Sequence, residues 1–148
     1  MKKMNKLLFV KLFLIFFIFP SASESKILSI GNENAKVTVK VFSSLTCPHC
    51  ADFHSLIFTD LKRDFIDKGL VKFEHHAFPL DLAAFNAEII IRCHVDNIKK
   101  FELLEKIYKK QKTWAIGSDI NKINDSIKKI GLESNLTNEK MDKCLRNN

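Results

Sequence analysis

Cys47-Pro48-His49-Cys50 sets two thiols three positions apart. On the first turn of a helix, that spacing puts both on one face, close enough to form a disulfide. The first thiol then lies among unpaired backbone N–H groups at the positive end of the helix dipole, where an anion is stabilised. The thiolate is the reactive species in disulfide exchange, so the chemistry on offer is dithiol–disulfide redox chemistry. Two other readings use the same residues. A structural zinc site needs four ligands, usually a second Cys-x-x-Cys or a close His pair; the chain has no second Cys-x-x-Cys, and Cys93 and Cys144 stand alone. A purely structural disulfide closing so short a loop removes little entropy from the unfolded chain.

The elements around the motif fit the redox reading. Lys36-Val37-Thr38-Val39-Lys40-Val41-Phe42 alternates like a strand and ends just before the motif. After it, Phe53, Ile57, Leu61 and Phe65, with Leu56 beside them, form an apolar stripe at helical spacing, and Gly69 is placed to end that helix in the left-handed conformation. Leu70 to Phe78 reads as a second strand with Val71, Phe73, His75 and Ala77 on one face, closed by Pro79. A crossover of this length implies parallel pairing and a right-handed connection. From Leu82 onward the pattern is helical, over Leu82–Val95, Ile98–Lys112, Ser118–Ile130 and Thr137–Leu145, with Ile116, Ile120, Ile123, Ile127 and Ile130 marking one stripe. The expected class is α/β: a βαβ unit over 24–80 carrying the motif, followed by a helical domain over 81–148.

Residues 1–23 read as an export signal, with Lys2, Lys3 and Lys6 ahead of an apolar run from Leu7 to Phe19 broken only by Lys11, then Pro20 and Ser21-Ala22-Ser23. The expected location is the bacterial periplasm, the alternative being an anchor formed by the uncleaved segment. Of the net charge of +7, four lysines and no acid belong to this segment, so the remainder carries +3. That charge, not gathered into a basic run, gives no basis for nucleic-acid binding. Disulfides persist in oxidising compartments, and four cysteines allow two pairs. With Cys47–Cys50 as one, Cys93 and Cys144 are left for a structural disulfide, against the alternative of two separate buried thiols.

Other candidates are weaker. His75 and His76 point to opposite faces of a strand and do not readily share a metal, so no metal site is expected there. His54 falls on what reads as a solvated helical face, His94 as a satisfied or exposed residue, and Tyr108 with Trp114 as core packing.

Taken together, residues from Ile27 to about Leu145 resemble the exported DsbA-like branch of the thioredoxin superfamily. The resemblance is carried by Ser29-Ile30-Gly31-Asn32 leading into Ala35-Lys36-Val37, by Phe42-Ser43-Ser44-Leu45-Thr46-Cys47-Pro48-His49-Cys50, and by Phe78-Pro79-Leu80-Asp81. It implies a thioredoxin core interrupted by a helical domain after its second strand. It also implies that Cys47 exchanges with substrate, that Cys50 resolves the mixed disulfide, and that Pro48 and His49 in the motif tune the Cys47 thiolate. Some members carry a second disulfide in the helical domain, which Cys93 and Cys144 fit. The chain departs from the family in having no proline after Pro79, so the cis-proline loop, hairpin and last helix of the thioredoxin core are expected to be missing. The expected sheet is then a parallel two-strand unit with an exposed edge.

The functional expectation is an exported thiol–disulfide oxidoreductase that needs no bound cofactor. It would donate its disulfide to reduced exported proteins and, as the resemblance implies, be reoxidised by a quinone-linked membrane partner. The alternatives are a reductase or isomerase, or a non-catalytic remnant or binding module.

Overall fold

The computed structural model describes residues 27–147, so the segment read as an export signal lies outside the described residues. Leu28–Gly31 (β1), Val37–Ser43 (β2) and Val71–Ala77 (β3) form one sheet in the order β1-β3-β2. β2 runs parallel to β3, with Val39 opposite Phe73 and Val41 opposite His75. β1 runs antiparallel on the other side, with Leu28 opposite His75 and Ile30 opposite Phe73. The alternation of β2 and β3 therefore puts Val37, Val39, Val41, Val71, Phe73 and His75 on one face. The opposite face is polar: Glu74 pairs with Lys72 at 3.2 Å and with His76 at 3.0 Å, and the Phe42 ring lies 4.7 Å from that of His76.

The two-strand sheet expected from the sequence is corrected to three strands. β1 has only four residues, too few to show a period, and its place is set by pairing with a strand more than forty positions away. It closes one edge of β3. Among the described residues β2 has no partner on its outer side, and Val37 and Phe42 there are 53% and 66% exposed.

Between β2 and β3 the chain is helical over 48–66, here called α1. It consists of α-helical Pro48–Asp52, π-helical Phe53–Phe58, α-helical Thr59–Leu61 and π-helical Lys62–Ile66. The apolar stripe expected on this helix is corrected as well. The buried positions are His54, Phe58 and Ile66, whereas Leu56, Ile57 and Phe65 are exposed and Phe53 and Leu61 half-buried. The wider i→i+5 turns rotate the side chains relative to an ideal helix. α1 also has two neighbours: Phe53 stacks on Phe73 of the sheet, and Phe58 lies parallel to Phe101 of the helical layer. Gly69, with φ +73°, ends the segment as its sequence position implies.

Five helices follow: Leu82–Arg92 (α2), Asn97–Lys109 (α3), Gln111–Trp114 (α4), Ile120–Leu132 (α5) and Asn138–Arg146 (α6). Side-chain caps fix where four of them start: Asp81 accepts from Ala84 N, Asp96 from Lys99 N, Asp119 from Asn121 N and Lys122 N, and Thr137 from Lys140 N. Ile90, Ile91, Leu103, Leu104, Ile107, Ile127 and Met141 meet in the core with no exposed surface, each contributing about 1.5–3 kcal/mol through burial. Cys93, just past α2, and Cys144 in α6 are joined in a disulfide with Cα atoms 6.2 Å apart. No helix among the described residues is long and apolar enough to cross a membrane.

Candidate active site

Cys47 is the N-cap of α1, in extended conformation, with Pro48 at the first helical position, where its missing N–H costs nothing. Cys47 and Cys50 are free thiols here, both half-buried, while Pro48 and His49 are exposed. The two thiols differ. A hydrogen bond from the Cys50 thiol, with further help from the backbone N–H groups of Cys50 and His49, lowers the pKa of Cys47 below the ordinary thiol value despite some burial. Cys50 packs against the core, and burial first, then its role as donor to Cys47, pushes its pKa up. One sulfur is thus prepared to carry charge and the other to keep its proton.

The loop leading into Cys47 is strapped from several sides. Ser44 accepts from Cys47 N at 3.1 Å through its carbonyl and from Leu80 N at 3.3 Å through its hydroxyl. Thr46 Oγ1 donates to Asp81 Oδ2 at 2.7 Å, and the other oxygen of Asp81 caps α2. Leu45 is fully buried. A cleft of about 530 Å³ opens beside Thr46 and Asp81, with Leu82, Ile120 and Ile123 along it.

Beneath the loop runs a buried chain of hydrogen bonds. Tyr108 Oη donates to Ser43 Oγ at 2.9 Å, Ser43 lies 3.3 Å from His75 Nδ1, and His75 Nε2 meets Glu88 Oε1. A Ser43 hydroxyl that receives the tyrosine proton has its own proton to give to Nδ1, and in that arrangement the imidazole N–H sits on Nε2 and faces the Glu88 carboxylate. All four residues are buried, and they tie β2, β3, α2 and α3 together. Burial, above all, holds the Tyr108 hydroxyl well above its usual pKa, with smaller contributions from Cys50, Glu88 and Cys47.

Sequence reasoning missed most of this. His75 reads in the sequence as an ordinary strand residue, and Ser43, Glu88, Tyr108 and Gln111 carry no local signal of a role near the thiols. His54 is another correction: its expected solvated face is in fact buried, with Nδ1 2.7 Å from Glu105 Oε1 and the ring stacked on Tyr108 at 4.0 Å. α3 packs over that side of α1, which helical spacing does not reveal. His94 is half-buried, its pKa lowered mainly by burial. Trp114 is buried, its indole N–H donating to Ile107 O at 2.8 Å.

A thioredoxin family model matches residues 23–148. A Rickettsia bellii protein named as a protein-disulfide oxidoreductase is 35% identical over 117 residues, which is 78% of this chain and 44% of that protein. Disulfide bond formation protein D of Bacillus subtilis is 34% identical over 122 residues, 74% of this chain and 54% of that one. The chain thus spans about half the length of these relatives. The crystal structure of Wolbachia pipientis alpha-DsbA1 matches with a TM-score of 0.74 at 24% identity, covering 82% of this chain and 60% of that chain, a likeness of fold. Motif, fold and family model agree: the chain belongs to the thioredoxin family.

Proposed function

We propose that this chain is an exported thiol–disulfide oxidoreductase of the bacterial periplasm that donates the Cys47–Cys50 disulfide to reduced exported proteins. The observation that carries the reading is the asymmetry of the two thiols: Cys47 is held acidic at the start of α1, while Cys50 is kept protonated against the core. In the oxidised enzyme a substrate thiolate attacks Cys47 Sγ. The bond between Cys47 and Cys50 breaks, Cys50 leaves as a thiolate and takes up a proton, and a mixed disulfide remains on Cys47. A second substrate thiolate then attacks the substrate sulfur of that bond and expels Cys47 as a thiolate. The substrate gains a disulfide and the enzyme ends as the dithiol.

A stabilised Cys47 thiolate is a good leaving group and favours the reduced enzyme, which biases exchange toward oxidising the substrate. Pro48 keeps the first turn free of an unmet donor, and His49 supplies a backbone N–H that favours the thiolate. The resulting dithiol is returned to the disulfide by a membrane partner that passes electrons to a quinone. Cys93–Cys144 serves as a structural bridge between α2 and α6.

The test uses the oxidised full chain with a reduced, unfolded protein whose refolding requires disulfides. The expected result is recovery of native disulfides, lost in Cys47→Ser; in Cys50→Ala first charged as a Cys47–glutathione mixed disulfide, a substrate thiolate attacks Cys47 Sγ, releases glutathione and stays linked to Cys47. Equal oxidation by the parent and Cys47→Ser would refute the reading.

A further inference from the structure

Gln111 opens α4, is 6% exposed, and reaches the active-site loop from 64 positions further along the chain. Its Nε2 donates to the carbonyl of Leu45 at 2.8 Å and to the carbonyl of Cys47 at 2.9 Å. Both partners are acceptors only, so the orientation of the amide is fixed: its oxygen in that place would face two carbonyls. Both amide protons are used. The Cys47 carbonyl also receives Cys50 N at 3.1 Å and Ala51 N at 3.2 Å, as the first carbonyl of α1. Gln111 therefore grips the loop on either side of Thr46.

Two consequences follow for Cys47. The clamp fixes the peptide that joins Cys47 to α1, and with it the start of the helix whose first N–H groups favour a thiolate there. The amide protons also offset the negative end of a carbonyl dipole that belongs to the thiolate's own residue; in a partly buried site such a dipole is weakly screened. We propose that Gln111 is a positioning residue which, by clamping the Leu45 and Cys47 carbonyls, holds Cys47 in its exchange-competent state. The inference rests on the reading of Cys47 as the exchanging thiol. The other groups that bear on Cys47 are Cys50, His49 and Asp52 on α1 and Tyr108 on α3; all are left intact in the test.

The experiment compares the reduced full chain with Gln111→Leu and Gln111→Glu. Thiolate absorbance is followed against pH, with alkylation and mass mapping to assign the signal to Cys47, and circular dichroism confirms that each variant is folded at the temperature used. Gln111→Leu keeps an apolar body but donates nothing. It is expected to move the Cys47 titration upward by about half a unit to one unit, or roughly 3- to 10-fold less thiolate below the midpoint. Gln111→Glu keeps the shape. Once ionised, it sets a carboxylate against two carbonyls beside the thiolate, so its upward shift should exceed that of Gln111→Leu. A role in packing alone predicts lower stability in both variants but an unchanged Cys47 titration in the folded chain. Titrations within about 0.2 units of the parent in both variants, or in Gln111→Glu alone if Gln111→Leu does not fold, would overturn the inference. The titration is read without substrate, so a parent that fails to oxidise protein refutes the proposed function while the titration still decides the role of Gln111.

Discussion

Glu88→Leu tests whether the buried hydrogen-bond chain is a stabilising unit. In the native chain His75 is fully buried and its Nε2–H is directed at the Glu88 carboxylate, which is itself buried and lies 3.6 Å from Arg92 Nε. Leucine removes the acceptor and leaves the N–H without water or partner. A hydrogen bond to a charged group contributes about 1.5–3 kcal/mol, and an orphaned buried donor costs a further ~1–3 kcal/mol. The added apolar contact of leucine offsets part of that, for an expected loss of about 3 kcal/mol. In a chain of this size that lowers the melting temperature by roughly 10–15 °C. The double variant His75→Phe/Glu88→Leu removes donor and acceptor together, and it should recover at least half of the loss, because both partners are then apolar. Urea unfolding of the parent, both single variants and the double gives the coupling energy directly. A single-variant loss below about 1 kcal/mol, or a double variant no more stable than the worse single, would refute the view that this pair is held together by mutual satisfaction.

Three further outcomes follow from the geometry. Alkylation of the reduced protein should modify Cys47 first and persist below pH 9.0, the reference thiol value, because its folded-state pKa is lowered, mainly by the Cys50 thiol. The sign carries into stability: the reduced fold gains stability from Cys47 as pH rises from the lowered pKa toward 9.0 and loses it again as pH falls through that lowered value. Faster labelling of Cys50 at any pH in that window contradicts the assignment. Cys144→Ala should destabilise the helical layer by about 4 kcal/mol, the chain-entropy value for a crosslink spanning 51 positions, and non-reducing peptide mapping of the parent should recover the 93–144 pair; two free thiols would dispose of the bridge. Gly69→Val forces a β-branched side chain to φ +73° and should cost about 1–3 kcal/mol in denaturant unfolding, whereas Gly69→Asn should cost less than Val.

Features whose signal is local were legible in the amino-acid sequence. The Cys-x-x-Cys spacing, the strand before it, the glycine that ends α1 and the four helical stretches are each set by neighbours within one or two turns, and each sits within a few residues of its expected place. The facing of β3 was legible because a period of two with Val71, Phe73 and His75 on one side admits one buried face. The rest depended on long-range packing. β1 became a strand by pairing with β3. The buried seam of α1 passed to His54, Phe58 and Ile66 because its π-helical turns re-aim its side chains between a sheet and a helix. The residues around the thiols meet across separations of 32 for Ser43 and His75, 65 for Ser43 and Tyr108, and 64 for Cys47 and Gln111. Helical and strand periods say which side of an element is buried, but not which side chain of a distant element will lie against it. That choice belongs to the packing of the helical layer on the sheet, and it is there that Gln111 comes to hold the carbonyl of Cys47.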